Sequence, residues 1–157
     1  MGVSSSLAIG LPDEVATAAL AARIAKTARK GDVIALRGPL GSGKTSFARA
    51  FIRARIGVGE DVPSPTFTLV EIYGHEPPLV WHFDLFRLER PDDAWELGIE
   101  DAFADGISLI EWPERMGDLL PRERLDIELA FAASPGARMA LLAPSSGWAS
   151  RIGAALD

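Results

Sequence analysis

The chain has 157 residues, a formal net charge of −6 at pH 7 and no cysteine. Its apolar content of 48% and charged content of 24% suit a globular protein, long enough for one domain with a real core over residues 1–157. Disulfides, thiolate metal sites and cysteine nucleophiles are excluded, no apolar run is long enough for a membrane helix, and the acidic balance argues against direct grip on a nucleic-acid backbone, DNA included.

In chain order, Met1-Gly2-Val3-Ser4-Ser5-Ser6 fits the formal myristoylation pattern, although a flexible Gly/Ser start is its commoner meaning. The first ten residues lack the basic flank and apolar stretch of a secretory signal, which with the missing cysteines fits a reducing cytoplasm. Leu7-Ala8-Ile9-Gly10-Leu11 reads as a short strand. Pro12-Asp13-Glu14 then opens a helix, with acidic residues in its first turn, that runs to about Arg29 and ends at Lys30-Gly31.

Val33-Ile34-Ala35-Leu36 is an apolar run of the kind a buried strand requires. It leads into Gly38-Pro39-Leu40-Gly41-Ser42-Gly43-Lys44-Thr45, a complete G-x-x-x-x-G-K-[ST] phosphate loop. The glycines let the backbone curl so that its N–H groups face a nucleotide's phosphates. Lys44 reaches the outer phosphates as a point charge, and the Thr45 hydroxyl can hold magnesium. From Ser46 the spacing of Phe47, Ala48, Phe51 and Ile52 predicts a helix, stopped by Gly57 and Gly59. Strand, glycine loop and helix form the context the motif needs, because the helix N-terminus adds partial positive charge. The nucleotide-binding set is therefore Gly38, Leu40, Gly41, Ser42, Gly43, Lys44, Thr45 and Ser46. The chain is expected to bind a nucleoside triphosphate together with Mg2+.

Ser64-Pro65-Thr66 opens a loop stiffened by proline, where Thr66 can place a hydroxyl near the γ-phosphate. Residues 67–73 alternate as a strand, Glu76-Pro77-Pro78 turns, and residues 79–83 return, so the two make a hairpin-like pair. Residues 91–103 read as two short helical pieces broken near Gly98. Residues 107–110 form a buried strand that ends in Glu111-Trp112. Residues 125–131 and 138–142 alternate as late strands, and residues 148–156 close the chain as a short helix. The whole reads as an α/β, P-loop NTPase-like three-layer fold, its mixed, largely parallel sheet carrying helices on both faces.

Phosphoryl transfer needs a second carboxylate near magnesium and a group that positions the attacking oxygen. Glu111 ends one apolar strand, and Asp84 ends another in His82-Phe83-Asp84-Leu85-Phe86-Arg87. Both fall where the phosphates of an α/β nucleotide site lie. Asp84 either orients water or binds magnesium through one, unless it only pairs with Arg87 or caps a helix. His75 and His82 read as structural or solvent-exposed. Trp112 packs against the acid, joins a partner surface, or fills the core as tryptophan commonly does.

Together these pieces closely resemble the TsaE (YjeE) family, small bacterial ATPases needed to make threonylcarbamoyladenosine in tRNA. The resemblance rests on Leu11-Pro12-Asp13-Glu14, the phosphate loop, Ser64-Pro65-Thr66-Phe67-Thr68-Leu69-Val70-Glu71, His82-Phe83-Asp84-Leu85, Arg87-Leu88 and Glu111-Trp112-Pro113, in order along nearly the whole chain. It implies ATP hydrolysis that is weak in isolation and coupled to TsaB and TsaD, with tRNA met only through that complex. It also implies Lys44 on the phosphates, Thr45 and Glu111 as magnesium ligands, Asp84 as a catalytic or switch residue and Thr66 as a γ-phosphate sensor. The adenine pocket would fall near Pro12 to Glu14 and near Gly136 to Arg138. Phe86 stands where the family usually has tyrosine, so a hydroxyl is missing there. A small-molecule kinase on the same fold and a non-hydrolysing nucleotide sensor are the competing readings; no arginine-rich lid stands out for the first, and the two acids argue against the second.

Overall fold

The computed structural model describes residues 6–57 and 61–156. Strand β1 (Leu7–Leu11) leads to helix α1 (Glu14–Thr27), strand β2 (Val33–Arg37) and helix α2 (Lys44–Ile56). Strands β3 (Val70–Tyr73) and β4 (Val80–Asp84) follow, then a 3₁₀ segment over Pro91–Leu97 and helix α3 (Ile99–Asp105). Strand β5 (Ile107–Glu111), a second 3₁₀ segment over Pro113–Leu119, strands β6 (Leu125–Phe131) and β7 (Arg138–Pro144), and helix α4 (Ser146–Leu156) complete the chain.

The strands form a seven-stranded sheet in the order β1-β7-β6-β2-β5-β4-β3. The four central strands, β6, β2, β5 and β4, run parallel, and antiparallel neighbours occur towards the edges. Composition explains the arrangement. Central strands covered on both faces read as near-continuous apolar runs, as Val33-Ile34-Ala35-Leu36 does and as Ile107-Ser108-Leu109-Ile110 does apart from the small, buried Ser108. On one face, Leu20 and Ile24 of α1, Phe47 and Phe51 of α2, and Trp148 and Ile152 of α4 pack on Ile34, Leu36 and Leu109. On the other, Ile99 and Ala102 of α3 and Met116 pack on Val33, Phe83 and Ile110. This is the expected three-layer, phosphate-loop type of architecture.

Several boundaries differ from the sequence reading, each for a local reason. Asp13 caps α1 as expected, its carboxylate accepting from Ala16 N at 2.9 Å. The helix stops at Thr27, however, because Arg55 of α2 donates to the Ala25 and Ala28 carbonyls at 3.1 and 3.2 Å and so satisfies its end before Gly31 is reached. Helix α2 begins two residues earlier than predicted, directly at Lys44. The strand predicted from residue 67 begins at Val70, since Leu69 adopts φ 67° and closes a turn onto the Pro65 carbonyl at 2.7 Å. Gly57 ends α2 with φ 119°. Gly59, and all of the myristoylation-like pattern except Ser6, lie outside the described residues.

Candidate functional site

Strand register assembles the site. Leu36 of β2 pairs with Glu111 of β5, and Glu111 pairs with Asp84 of β4. Three parallel strands thus deliver the phosphate loop and both carboxylates to one edge, the C-terminal edge where α/β proteins take their ligands. A cleft of about 350 Å³ opens there, with Lys44, Thr45, Thr66, Asp84, Glu111 and Trp112 in its walls. Leu40, Gly41, Gly43 and Ser46 also line it.

The loop itself is tightly determined. Gly38 has φ 141°, and an added Cβ would overlap the Leu129 carbonyl oxygen and Ser42 Oγ, so only glycine fits. Gly43 occupies the N-cap of α2 with φ 107° and supplies no side-chain cap, which leaves the helix N-terminus open to an anion. Lys44 Nζ donates to the carbonyls of Gly38 and, at 3.1 Å, Pro39, and lies 3.8 Å from the centre of the Trp112 ring. Burial holds the Lys44 ammonium below the usual lysine pKa range, opposed by the nearby Glu111, Glu114 and Asp84 carboxylates.

The acids are buried at the cleft floor: Glu111 is 2% exposed and Asp84 6%. Thr45 Oγ1 donates to Glu111 Oε1 at 2.8 Å, while Glu111 Oε2 lies 2.7 Å from His82 Nε2. Asp84 Oδ1 accepts from Phe86 N at 3.2 Å, and Oδ2 accepts a long hydrogen bond of 3.4 Å from Thr66 Oγ1. Thr66 is in turn 2.9 Å from Ser64 Oγ. A hydroxyl and two carboxylates beside the phosphate loop make the kind of donor set that magnesium uses, since that ion keeps several waters and takes one or two carboxylates plus substrate phosphates. The buried acids also favour a cation on charge grounds.

Pro12 and Arg138 sit apart from this cleft, in an adjoining hollow of about 400 Å³ bounded by Asp13, Glu14, Thr17 and Gly136. The two spaces meet at Gly41, Gly43 and Ser46. Arg138 does more than line the hollow. Its Nε donates to the Ser42 carbonyl at 3.0 Å, and a terminal nitrogen donates to that of Gly41 at 3.2 Å. Ser42 is buried, and its hydroxyl finds no partner among the described residues.

Other sequence readings are sharpened or corrected. Asp84 does not take Arg87 as its partner; the Arg87 guanidinium lies 4.7 Å from the Phe67 ring instead. Trp112 is not a core residue but a half-buried wall, at φ 58°, with its ring 5.1 Å from that of Phe86. His82 is fully buried and bonded to Glu111. Spacing alone says only that His82 and Asp84, two apart on a strand, face the same side; the bond to Glu111 depends on the register of β4 with β5.

A strand, a glycine loop and a helix, with two acids on the neighbouring parallel strands, define a protein of the phosphate-loop α/β class. The chain belongs to the TsaE family: the model described as threonylcarbamoyl adenosine biosynthesis protein TsaE matches residues 11–139. The tRNA threonylcarbamoyladenosine biosynthesis protein TsaE of Bacillus subtilis (strain 168) is 38% identical over 122 residues, 77% of this chain and 74% of that protein. Its namesake from Rickettsia bellii is 36% identical over 119 residues, 76% of this chain and 83% of that one. The crystal structure of Bacillus subtilis YdiB matches with a TM-score of 0.79 at 26% identity, covering 99% of this chain and 97% of that one.

Proposed function

We propose that this chain is a magnesium-dependent ATPase that serves tRNA N6-threonylcarbamoyladenosine synthesis in concert with TsaB and TsaD. Membership of the TsaE family supports the pathway. The observation that carries the chemistry is the Thr45–Glu111 hydrogen bond of 2.8 Å, made by the residue that follows Lys44 in the first turn of α2.

ATP lies with its phosphates along Gly38 to Ser46 and its base in the hollow between Pro12 and Arg138. Lys44 contacts the outer phosphates, aided by the partial positive charge of the helix N-terminus. Thr45 and Glu111 would hold magnesium, which would supply charge neutralisation to the nucleotide's phosphates. Asp84, braced by Thr66 and the Phe86 amide, orients the attacking water or accepts its proton. Thr66 would follow the γ-phosphate from the cleft wall, its hydroxyl linked to Ser64 and Asp84.

The net charge of −6 favours tRNA contact through partners rather than directly. ATP binding would then shift the segment around Thr66 and Asp84, and hydrolysis would reset the partner complex. A cytoplasmic site of action follows from that role, and among the described residues no helix is long and apolar enough to cross a membrane.

The test is ATP hydrolysis by the chain alone and mixed with purified TsaB and TsaD. Strong stimulation by the pair, abolished by Lys44→Ala, is expected. A rate indifferent to the pair would sink the coupling, and a phosphorylated small-molecule acceptor would replace it with the kinase reading.

A further inference from the structure

We propose that His82 is a positioning residue that fixes the Glu111 carboxylate for magnesium. The inference rests on reading Glu111 as the magnesium carboxylate and adds a residue that never touches nucleotide or ion.

Register explains how His82 reaches its target. It pairs with Leu109 of β5, two residues before Glu111, and its side chain shares a face with Asp84 and Glu111. From that position Nε2 lies 2.7 Å from Glu111 Oε2. The imidazole is fully buried, and its Nδ1 has no partner among the described residues. An apolar side chain like those of neighbouring Leu109 and Val80 would fill the space without burying an unpaired nitrogen. The histidine is therefore explained by its one bond rather than by packing.

That bond also sets which atom donates. Glu111 as a carboxylate only accepts, so Nε2 carries a proton and donates it to Oε2. The two oxygens of Glu111 thus have separate duties: Oε2 is held by His82, and Oε1 faces Thr45. Without His82, Glu111 keeps only the Thr45 bond at one oxygen while the Lys44 ammonium in the same cleft attracts it, so Oε2 is no longer held in one place. Groups behind a metal ligand that orient it in this way typically govern metal affinity by about 10–100-fold.

The experiment is calorimetry of the non-hydrolysable analogue AMPPNP, in EDTA and in MgCl2, with wild type and three variants. Wild type is expected to bind more tightly with magnesium. His82→Leu should lose about 10–100-fold of that magnesium-dependent gain while keeping its EDTA affinity. His82→Asn, whose shorter amide falls near the Nδ1 position, should behave like His82→Leu and serves if the leucine variant does not fold. His82→Gln, whose amide nitrogen falls near Nε2, should restore the gain. A wild-type gain left intact in both His82→Leu and His82→Asn, or lost equally in His82→Gln, overturns the inference alone. A wild type indifferent to magnesium overturns the reading of Glu111 and the inference with it.

Discussion

Thr45 Oγ1 and Glu111 Oε1 are joined at 2.8 Å, although 66 residues separate them in the chain. The bond links the first turn of α2 to the end of β5. It holds a hydroxyl and a carboxylate together at the sheet edge through a contact within the protein itself. Preorganisation of this kind places the cost of assembling the site in folding rather than in each binding event.

Removing the carboxylate should therefore separate binding from turnover. Glu111→Ala is expected to bind ATP in EDTA as wild type does, because Lys44 and the loop amides are untouched. Its magnesium-stimulated hydrolysis should fall by about 10²–10³-fold, the scale of an electrostatic contribution of a few kcal/mol. Titration calorimetry and a phosphate-release assay check the two halves. Hydrolysis within a few-fold of wild type would remove Glu111 from the mechanism.

Arg138 poses a different question, since it both lines the hollow beside Pro12 and grips the phosphate loop. Two guanidinium bonds to the Gly41 and Ser42 carbonyls fix those peptide planes and so aim the following N–H groups the other way. Arg138→Ala should weaken ATP binding by about 10–100-fold, in line with the 1.5–3 kcal/mol typical of a charge-assisted hydrogen bond. Arg138→Lys should not rescue it, because one ammonium does not reproduce the fork. Inorganic tripolyphosphate is the discriminating ligand. If the loop is what Arg138 serves, its binding weakens as much as that of ATP; if only ATP suffers, Arg138 is a base contact.

These cases show which parts of the site the sequence made legible. The phosphate loop is a contiguous segment, so its glycines, lysine and threonine can be read without knowing the fold. Asp84 and Glu111 were legible because each ends an apolar run, and such ends gather at one sheet edge. His82 was not, since its role depends on β4 lying beside β5 in a register that brings together residues 29 apart. The loop contact of Arg138 spans 96 residues and requires β7 to reach the sheet through β6. The late start of β3 was hidden for the same reason. Leu69 turns because its carbonyl accepts Asp84 N at 3.0 Å and its amide bonds Pro65, pairings that alternation along residues 67–73 does not encode.

The C-terminal helix lies beyond the residues matched by the family model, yet it is firmly attached. Arg151 pairs with both oxygens of Asp32 at 2.7 and 2.9 Å, also donates to the Thr27 carbonyl at 3.0 Å, and stacks 3.9 Å from the Trp148 ring. The side chains of the pair are 13% and 11% exposed. Arg151→Met leaves the Asp32 carboxylate largely desolvated without its ion partner, which should cost about 3 kcal/mol, the lower end for breaking a buried pair. Denaturant unfolding would read this as a lower midpoint at unchanged m. ATP affinity should be unaltered, because the pair lies outside both hollows; a parallel loss of affinity would mean that α4 helps to shape the nucleotide site.

Thr66 distinguishes a residue that reads the γ-phosphate from one that only decorates the loop. Its hydroxyl stands between Ser64 Oγ and Asp84 Oδ2, so Thr66→Val removes one brace from Asp84 while keeping the side-chain shape. Hydrolysis in the presence of TsaB and TsaD is expected to drop by about 10²-fold, the penalty for a reacting group displaced by roughly an ångström. The Kd for ATP should hardly move, since the loop amides and Lys44 carry ground-state binding. Comparing kcat with Kd decides the matter. A fall in rate with unchanged affinity places the Thr66 contact in the transition state, whereas equal losses in both would make it an ordinary binding contact.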